Sequence, residues 1–355
     1  MQQSEGLRNL GKLAGSDIPF EATASSAGPL VWPPVESSEQ RRRGFVSDVI
    51  DTTEALSSLL HEFTAFPFDE KTTRYSGRLF VTQDALTSVV TTQHAVADAV
   101  IEGIIPLEGC GVSELEDTSL VYLGRNTPER QASQLDMEQE LAQARTIFST
   151  PVNQASTHDY DAFSFQFISD VMRIDPRIHA QFFGLYQAFG WNEADVVSML
   201  QRKTNVLLGV FQNGELVSTG MAERAILPVR RDNQGFPFVM YEITEAATRE
   251  EYRGNGLYTA VAHRLNQHLT ATDANLVYAE SNLRAPGVLK AARKQGRHTV
   301  LESFEQYGLT PKPLRWAVRI SGGSSDVRPA HEKNDLLVTY LVRKELQQLY
   351  GHTQY

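Results

Sequence analysis

The chain has 355 residues, with 33 Lys+Arg against 43 Asp+Glu and a formal charge of -10. That length holds two ordinary domains or one large decorated one, and 41 % apolar with 21 % charged residues excludes wholesale disorder. The acidic balance argues against a duplex- or tRNA-binding protein, which draws its affinity from a basic face.

The first 45 residues are rich in Ser, Gly, Pro and Ala and carry no sustained hydrophobic period, so residues 1–45 predict a flexible N-terminal arm. Leu30-Val31-Trp32 is an anchor within it, and the one dense basic run, Arg41-Arg42-Arg43, falls near its end. Residues 46–155 predict an α/β region without a chemical motif. Val49, Leu56, Leu59 and Leu60 recur at helical spacing; 79–81 reads as a strand, 85–104 as a helix, 119–123 as a strand and 127–148 as a helix. This region fits a degenerate copy of the fold that follows, a substrate-shaping cap or a homodimerisation module. No bilayer-spanning segment is expected, because the longest apolar stretch, 95–107, contains Asp98 and Glu102. No secretory signal is visible, and the lone Cys110 makes neither a disulfide nor a Cys-rich metal site. A cytoplasmic protein without a metal is therefore expected.

Residues 156–355 read as regularly alternating elements. Phe163, Phe165 and Phe167 form one strand face; 179–189 and 193–200 are helical. Strands at 206–211 and 215–221 meet through Asn213-Gly214, whose tolerance of positive φ makes a strong hairpin signal. Then come a strand at 238–247, a helix at 257–269, a strand at 275–281, a helix at 286–295 and a strand at 336–342. The fold class is α/β with a mixed sheet.

The informative segment links the 238–247 strand to the next helix: Thr248-Arg249-Glu250-Glu251-Tyr252-Arg253-Gly254-Asn255-Gly256-Leu257-Tyr258. Two glycines let the backbone turn sharply and approach a ligand, and the first-turn N–H groups with the helix dipole then face it. A pyrophosphate suits such a place. The pattern is neither a dinucleotide fingerprint nor a P-loop.

This order of elements and this turn resemble the GNAT superfamily of acyl-CoA N-acyltransferases over about residues 161–345. Its motif is Arg/Gln-x-x-Gly-x-Gly/Ala. Here Tyr258 stands at the last motif position, and Thr248 replaces an apolar strand-end residue. The resemblance implies a GNAT-like catalytic domain and an acyl-CoA co-substrate, acetyl-CoA above all, with no metal. It places Ala247, Thr248, Arg253, Gly254, Asn255, Gly256, Leu257, Tyr258 and Asn282 at the co-substrate. Arg253 either approaches a phosphate or braces the turn; Asn282 either bonds the pantetheine arm or caps the helix after it. A looser similarity of 242–257, Asn282-Leu283-Arg284-Ala285 and Gly308-Leu309-Thr310-Pro311 to β-lysine N-acetyltransferases implies a small amino-acid-like amine as acceptor. A carrier-protein thioester or an aminoacyl-tRNA is an alternative donor, and a non-catalytic acyl-CoA-binding module an alternative function.

Acyl transfer to an amine needs a base, a polarised carbonyl and a proton for the thiolate. Strand alternation puts Glu242, Thr244, Ala246 and Thr248 on one face and Glu245 on the other. The resemblance implies a carboxylate base, Glu242 first and Glu245 second, with a backbone N–H near Ala247 or Thr248 on the carbonyl. Family members often carry a tyrosine acid in the following helix, but Leu289 or Ala292 stands at that spacing. Tyr278, Tyr258 or water is left to protonate the thiolate. His263 and His268 do not share a helix face, Cys110 reads as a small buried thiol, and Phe182, Phe183, Tyr186, Phe189 and Trp191 form core or an acceptor wall.

Overall fold

The computed structural model describes residues 20–22, 41–65, 68, 74–126, 137–151, 160–188, 191–283, 285–312, 314–316 and 334–351. Most of the arm, including the 30–32 anchor, lies outside them, as does Phe189. The strands are β1 (Phe20–Ala22), β2 (Arg41–Val46), β3 (Arg74–Thr82), β4 (Ile101–Pro106), β5 (Thr118–Asn126), β6 (Ser164–Phe167), β7 (Val206–Gln212), β8 (Glu215–Arg231), β9 (Gln234–Thr248), β10 (Leu276–Asn282), β11 (His298–Thr299), β12 (Leu314–Trp316) and β13 (Asn334–Val342). The helices are α1 (Thr53–Ala65), α2 (Gln83–Thr92), α3 (His94–Val100), α4 (Met137–Ser149), α5 (Asp170–Arg173), α6 (Pro176–Gln187), α7 (Glu193–Gln201), α8 (Leu257–Leu269), α9 (Pro286–Lys294), α10 (Val300–Tyr307) and α11 (Arg343–Tyr350). They build a five-stranded sheet, β1-β2-β3-β5-β4, and an eight-stranded one, β11-β13-β10-β9-β8-β7-β6 with β12 beside β13.

Two N-terminal expectations need correction. The basic run Arg41-Arg42-Arg43 is not in a flexible arm; it belongs to β2, which pairs in parallel with β3 from Arg41↔Arg74 to Phe45↔Arg78. The helix expected over 85–104 is two helices, Gln83–Thr92 and His94–Val100, and Ile101–Pro106 is a strand paired with β5. From Ile101 to Ile105 every residue of that strand is buried. A strand covered on both faces reads as an unbroken apolar run, which periodicity cannot separate from a buried helix.

The Asn213-Gly214 turn has φ of 52° and 81°, as a two-residue hairpin requires. A second such turn, Asp232-Asn233 at 52° and 63°, joins β8 to β9. It makes a hairpin far longer than the expected strands, and its tip reaches the first sheet. Arg230 donates to both carboxylate oxygens of Asp48 at 2.9 and 3.0 Å; on the backbone, Val49 N–H donates to the Arg230 carbonyl and Arg230 N–H to the Ser47 carbonyl, both at 2.8 Å. Phe80 of β3 meets Phe238 of β9 edge-on at 5.2 Å.

The two sheets therefore share one core. Leu79, Phe80, Val81 and Leu120 lie in the same buried cluster as Leu227, Phe238, Met240, Leu276 and Tyr278. The N-terminal region covers one face of the second sheet. The other face packs Tyr241, Ile243 and Val277 against Leu257, Val261 and Leu265 of α8 and Leu346 of α11. A third cluster sits under α6 and α7. No described helix is long and apolar enough to cross a membrane.

Candidate functional site

Strand β9 positions the site because its two edges behave differently. It pairs with β8 throughout, from Arg231↔Gln234 to Ser218↔Thr248. With β10 it pairs in parallel over Met240, Tyr241 and Glu242 alone. Beyond the Glu242↔Tyr278 pair, β10 stays with β13 as far as Asn282↔Leu336 while β9 stays with β8, so the sheet opens into a gap.

A bulge shapes that open end. Met221 pairs with Thr244 and Thr219 with Ala247, leaving Glu245 and Ala246 opposite Gly220. Glu245 has φ of 49°, and its carbonyl accepts a hydrogen bond from the Tyr186 hydroxyl. An extra residue in one strand bends it and strengthens its twist. Gly220 is required here for another reason, since a Cβ there would lie 2.7 Å from Val261 of α8.

The bulge also overturns the simple alternation. Ala247 packs in the cluster of Met221, Phe211 and Tyr186, and Met221 lies opposite Thr244. Ala247, not Ala246 or Thr248, thus shares the face of Glu242 and Thr244, because directly opposed residues of an antiparallel pair share a face. Thr248 is tied to the neighbouring strand by its hydroxyl, 2.8 Å from that of Ser218.

From Thr248 a single turn over Glu250–Tyr252 leads to Gly254 and Gly256, with φ of 85° and 72°. These are the left-handed values that glycine reaches without steric cost. The first helical bond of α8 runs from Ala260 N–H to the Gly256 carbonyl at 3.0 Å, and no side chain caps the helix. The N–H groups of Leu257, Tyr258 and Thr259 thus have no acceptor among the described residues. A side chain built on Gly254 would meet nothing within 4 Å.

The side chains around the loop brace it. Tyr160 donates to the Gly256 carbonyl at 3.2 Å, Asn255 to the Tyr252 carbonyl at 3.1 Å and Arg253 to the Thr248 carbonyl at 3.4 Å. Tyr258 lies near the buried Arg297; burial raises its pKa and Arg297 opposes the rise. First-turn amides behind a left-handed glycine turn are donors of the kind that can hold the diphosphate of a CoA-type molecule. Asn282 closes β10, and its carbonyl accepts from Ala285 N–H at 2.9 Å. The N-cap position of α9 is Ala285, three residues beyond Asn282.

At the point of divergence the Tyr278 hydroxyl donates to Glu242 Oε2 at 3.0 Å. Arg78 of β3 reaches the same hydroxyl at 3.4 Å and Glu280 Oε1 at 3.5 Å. Its guanidinium lies 5.1 Å from the ring centre of Tyr122 and 5.5 Å from that of Tyr278. Glu223, opposite Glu242 on β8, is held by Arg202 at 3.0 Å. Burial pushes the Glu242 carboxyl well above its ordinary range, Glu280 and Glu223 push it further, and Arg78 and the Tyr278 hydrogen bond pull it back. Burial likewise raises Tyr278 well above a free phenol, against the pull of Arg78. Burial alone would lower the pKa of Arg78, but Tyr278, Tyr122, Glu280 and Glu242 reverse that, so the guanidinium stays charged. The sum is a carboxyl with raised proton affinity at the mouth of a sheet gap, which is what a base for amines needs.

The structure brings Glu242 and Tyr278 together and sets Glu245 apart, at the bulge beside Tyr186. Sequence reasoning missed Arg78, Tyr122, Glu223 and Glu280. Glu280 was within reach, two residues beyond Tyr278 on one strand face. Arg78 and Tyr122 come from strands distant in the chain and left no signal. Cys110 is buried, its thiol pushed up to about 11 by burial. Phe182, Tyr186 and Trp191 are core side chains at 0 %, 2 % and 8 % exposure. No metal-ligand cluster occurs among the described residues.

No protein-family profile and no curated protein matches the sequence. Solved structures do resemble the fold. The ribosomal-protein-S18-alanine N-acetyltransferase of Escherichia coli aligns at 13 % identity and TM-score 0.35, covering 54 % of this chain and 99 % of that one. An acetyltransferase of the GNAT family from Streptococcus pneumoniae aligns at 10 % identity and TM-score 0.35, covering 51 % of this chain and 99 % of that one. Arabidopsis thaliana NAA60, solved with acetyl-CoA, aligns at 12 % identity and TM-score 0.38, covering 51 % of this chain and 98 % of that one.

Proposed function

We propose that the protein is an N-acyltransferase that moves an acetyl or similar acyl group from a CoA thioester to a small primary amine. The supporting observation is the conjunction of an open β9–β10 gap with first-turn amides of α8 at its end that have no acceptor among the described residues. Those amides bind the diphosphate, helped by the helix dipole, and the pantetheine arm runs into the gap toward Glu242. Thr248, Asn255 and Asn282 line this path. Backbone N–H on the unpaired edge of β9, near Ala247 or Thr248, holds the thioester oxygen as it gains charge.

Glu242 takes the proton from the amine, directly or through one water. The amine nitrogen attacks the carbonyl carbon, the C–N bond forms and the C–S bond breaks. The departing thiolate takes up a proton, so one amide and one thiol leave. Tyr278, engaged with Glu242 and less acidic than a free phenol, anchors the base, and the proton collected on Glu242 returns to the thiolate through solvent in the gap. The acidic surroundings formed by Glu223, Glu242 and Glu280 favour a cationic, amino-acid-like acceptor.

The test is release of free thiol from acetyl-CoA in the presence of a panel of primary amines, with binding of acetyl-CoA followed by calorimetry. Amine-dependent thiol release supports transfer. Binding without thiol release would replace this reading by that of an acyl-CoA-binding module. Release from an acylated carrier protein but not from acetyl-CoA would move the donor to a carrier.

A further inference from the structure

We propose that the N-terminal sheet is a working part of the catalytic site, with Arg78 of β3 positioning the Glu242–Tyr278 pair at the mouth of the gap. The inference rests on the reading of Glu242 as the base and adds a residue that neither the glycine loop nor the second sheet supplies. Arg78 is the one cation in contact with both Tyr278 and Glu280 among the described residues, and it lies between the rings of Tyr122 and Tyr278. Its side chain keeps 14 % exposure and that of Glu280 keeps 11 %. Both side chains are therefore partly open to solvent. The Tyr122 hydroxyl is fully buried and has no hydrogen-bond partner among the described residues. A buried hydroxyl left unsatisfied carries a cost that a bound polar group would remove.

Glu242 is faced from every side by groups that set its charge. Glu223 faces it from β8, itself held by Arg202; Tyr278 and Glu280 face it from β10; Arg78 comes from β3 and Tyr122 from β5. Two of these neighbours are carboxyls, which oppose ionisation of a third. Arg78 counters them, and through its bond to the Tyr278 hydroxyl it fixes where that hydroxyl donates. A neutral residue at 78 leaves Glu242 protonated at a pH where the wild-type carboxyl is ionised, so the base is lost without any change in the CoA loop. Arg78 acts through other residues and is a positioning residue.

The test uses the full chain carrying side-chain carboxyl 13C-labelled glutamate, with the Glu242 signal assigned by its absence in Glu242→Gln. In Arg78→Gln the titration midpoint of Glu242 rises by about one unit or more, and the acid limb of the pH profile for amine-dependent thiol release moves alkaline by the same amount. In Arg78→Lys, which keeps the charge but loses the planar fork, the midpoint stays near wild type. Its kcat falls about tenfold to a hundredfold with KM for acetyl-CoA unchanged. A folded Arg78→Gln with an unmoved midpoint, or an Arg78→Lys with wild-type kcat, overturns the inference; if Arg78→Gln does not fold, Arg78→Lys alone decides. Failure of the base reading looks different, because Glu242→Gln would then release thiol at the wild-type rate whatever stands at position 78.

Discussion

Along its β8 edge, strand β9 is zipped from Gln234 to Thr248, whereas along its β10 edge Met240, Tyr241 and Glu242 alone find partners. The closed edge carries the architecture: its far end holds Phe238 against Phe80 and joins the two sheets. On the proposed function the open edge carries the chemistry, since backbone groups that a neighbouring strand would satisfy face a gap instead. The difference arises within one strand. It comes from the bulge at Glu245, which bends β9 away while β10 follows β13. A sheet thus makes a binding site by failing to pair over a few residues, provided that the paired remainder holds those residues still.

Four measurements break or sharpen this contrast. The largest effect is expected at the point where the edges part. Glu242→Gln should lower amine-dependent turnover by about 10²- to 10⁴-fold, as loss of a general base does, with acetyl-CoA affinity retained. A near-wild-type rate would remove Glu242 from the mechanism. At the closed end, Phe238→Ala empties a fully buried site and should cost about 3–5 kcal/mol in denaturant unfolding. Acetyl-CoA affinity should survive it; a parallel loss of affinity would show that the two ends are not separable.

Gly256→Val attacks the open end. A branched residue at φ of 72° is strained by about 1–2 kcal/mol, and relief of that strain swings the first-turn amides away from the ligand. Calorimetry should show acetyl-CoA binding weakened about tenfold or more, and unchanged affinity would refute the placement of the diphosphate. The smallest effect lies on the outer strands. His298, between Glu302 and Glu345, has its pKa raised from 6.5 to about 10, chiefly by the hydrogen bond it donates to Glu302 and then by the one it donates to Glu345. A pKa raised in the folded state stabilises fully below the unfolded value and is lost as pH climbs through the folded one. Wild-type Tm should therefore fall relative to His298→Gln between about pH 6.5 and 10. The shift is small because the side chain is 41 % exposed and screened. Parallel Tm curves would show that the pair contributes nothing.

Legibility in the sequence followed the range of the interactions involved. Helix α8 and its Gly254-Asn255-Gly256 entry were readable because both rest on local causes, an apolar repeat at i+4 steps and backbone angles that favour glycine. Glu242 was singled out through the resemblance of its surroundings, and its role is a proposal. The length of the β8–β9 hairpin was not, because its tip is supported by Asp48 and Asp117, far away in the chain. Strand β4 was misread because burial on both faces erased its period. The bulge at Glu245 was equally hidden: nothing in Thr244-Glu245-Ala246-Ala247 announces a positive φ, and the Tyr186 hydroxyl that holds it lies 59 positions away.

By itself the sequence determined a mixed α/β chain with a glycine turn able to present backbone donors at a helix start, since turn chemistry and periodicity act over a few residues. Only the tertiary structure decided which edge of β9 stays open and that Glu242 meets Tyr278. It alone brought Arg78 from the other sheet to stand beside them. Those are matters of strand register and of charge brought together by packing, and neither is encoded in any short stretch of the chain.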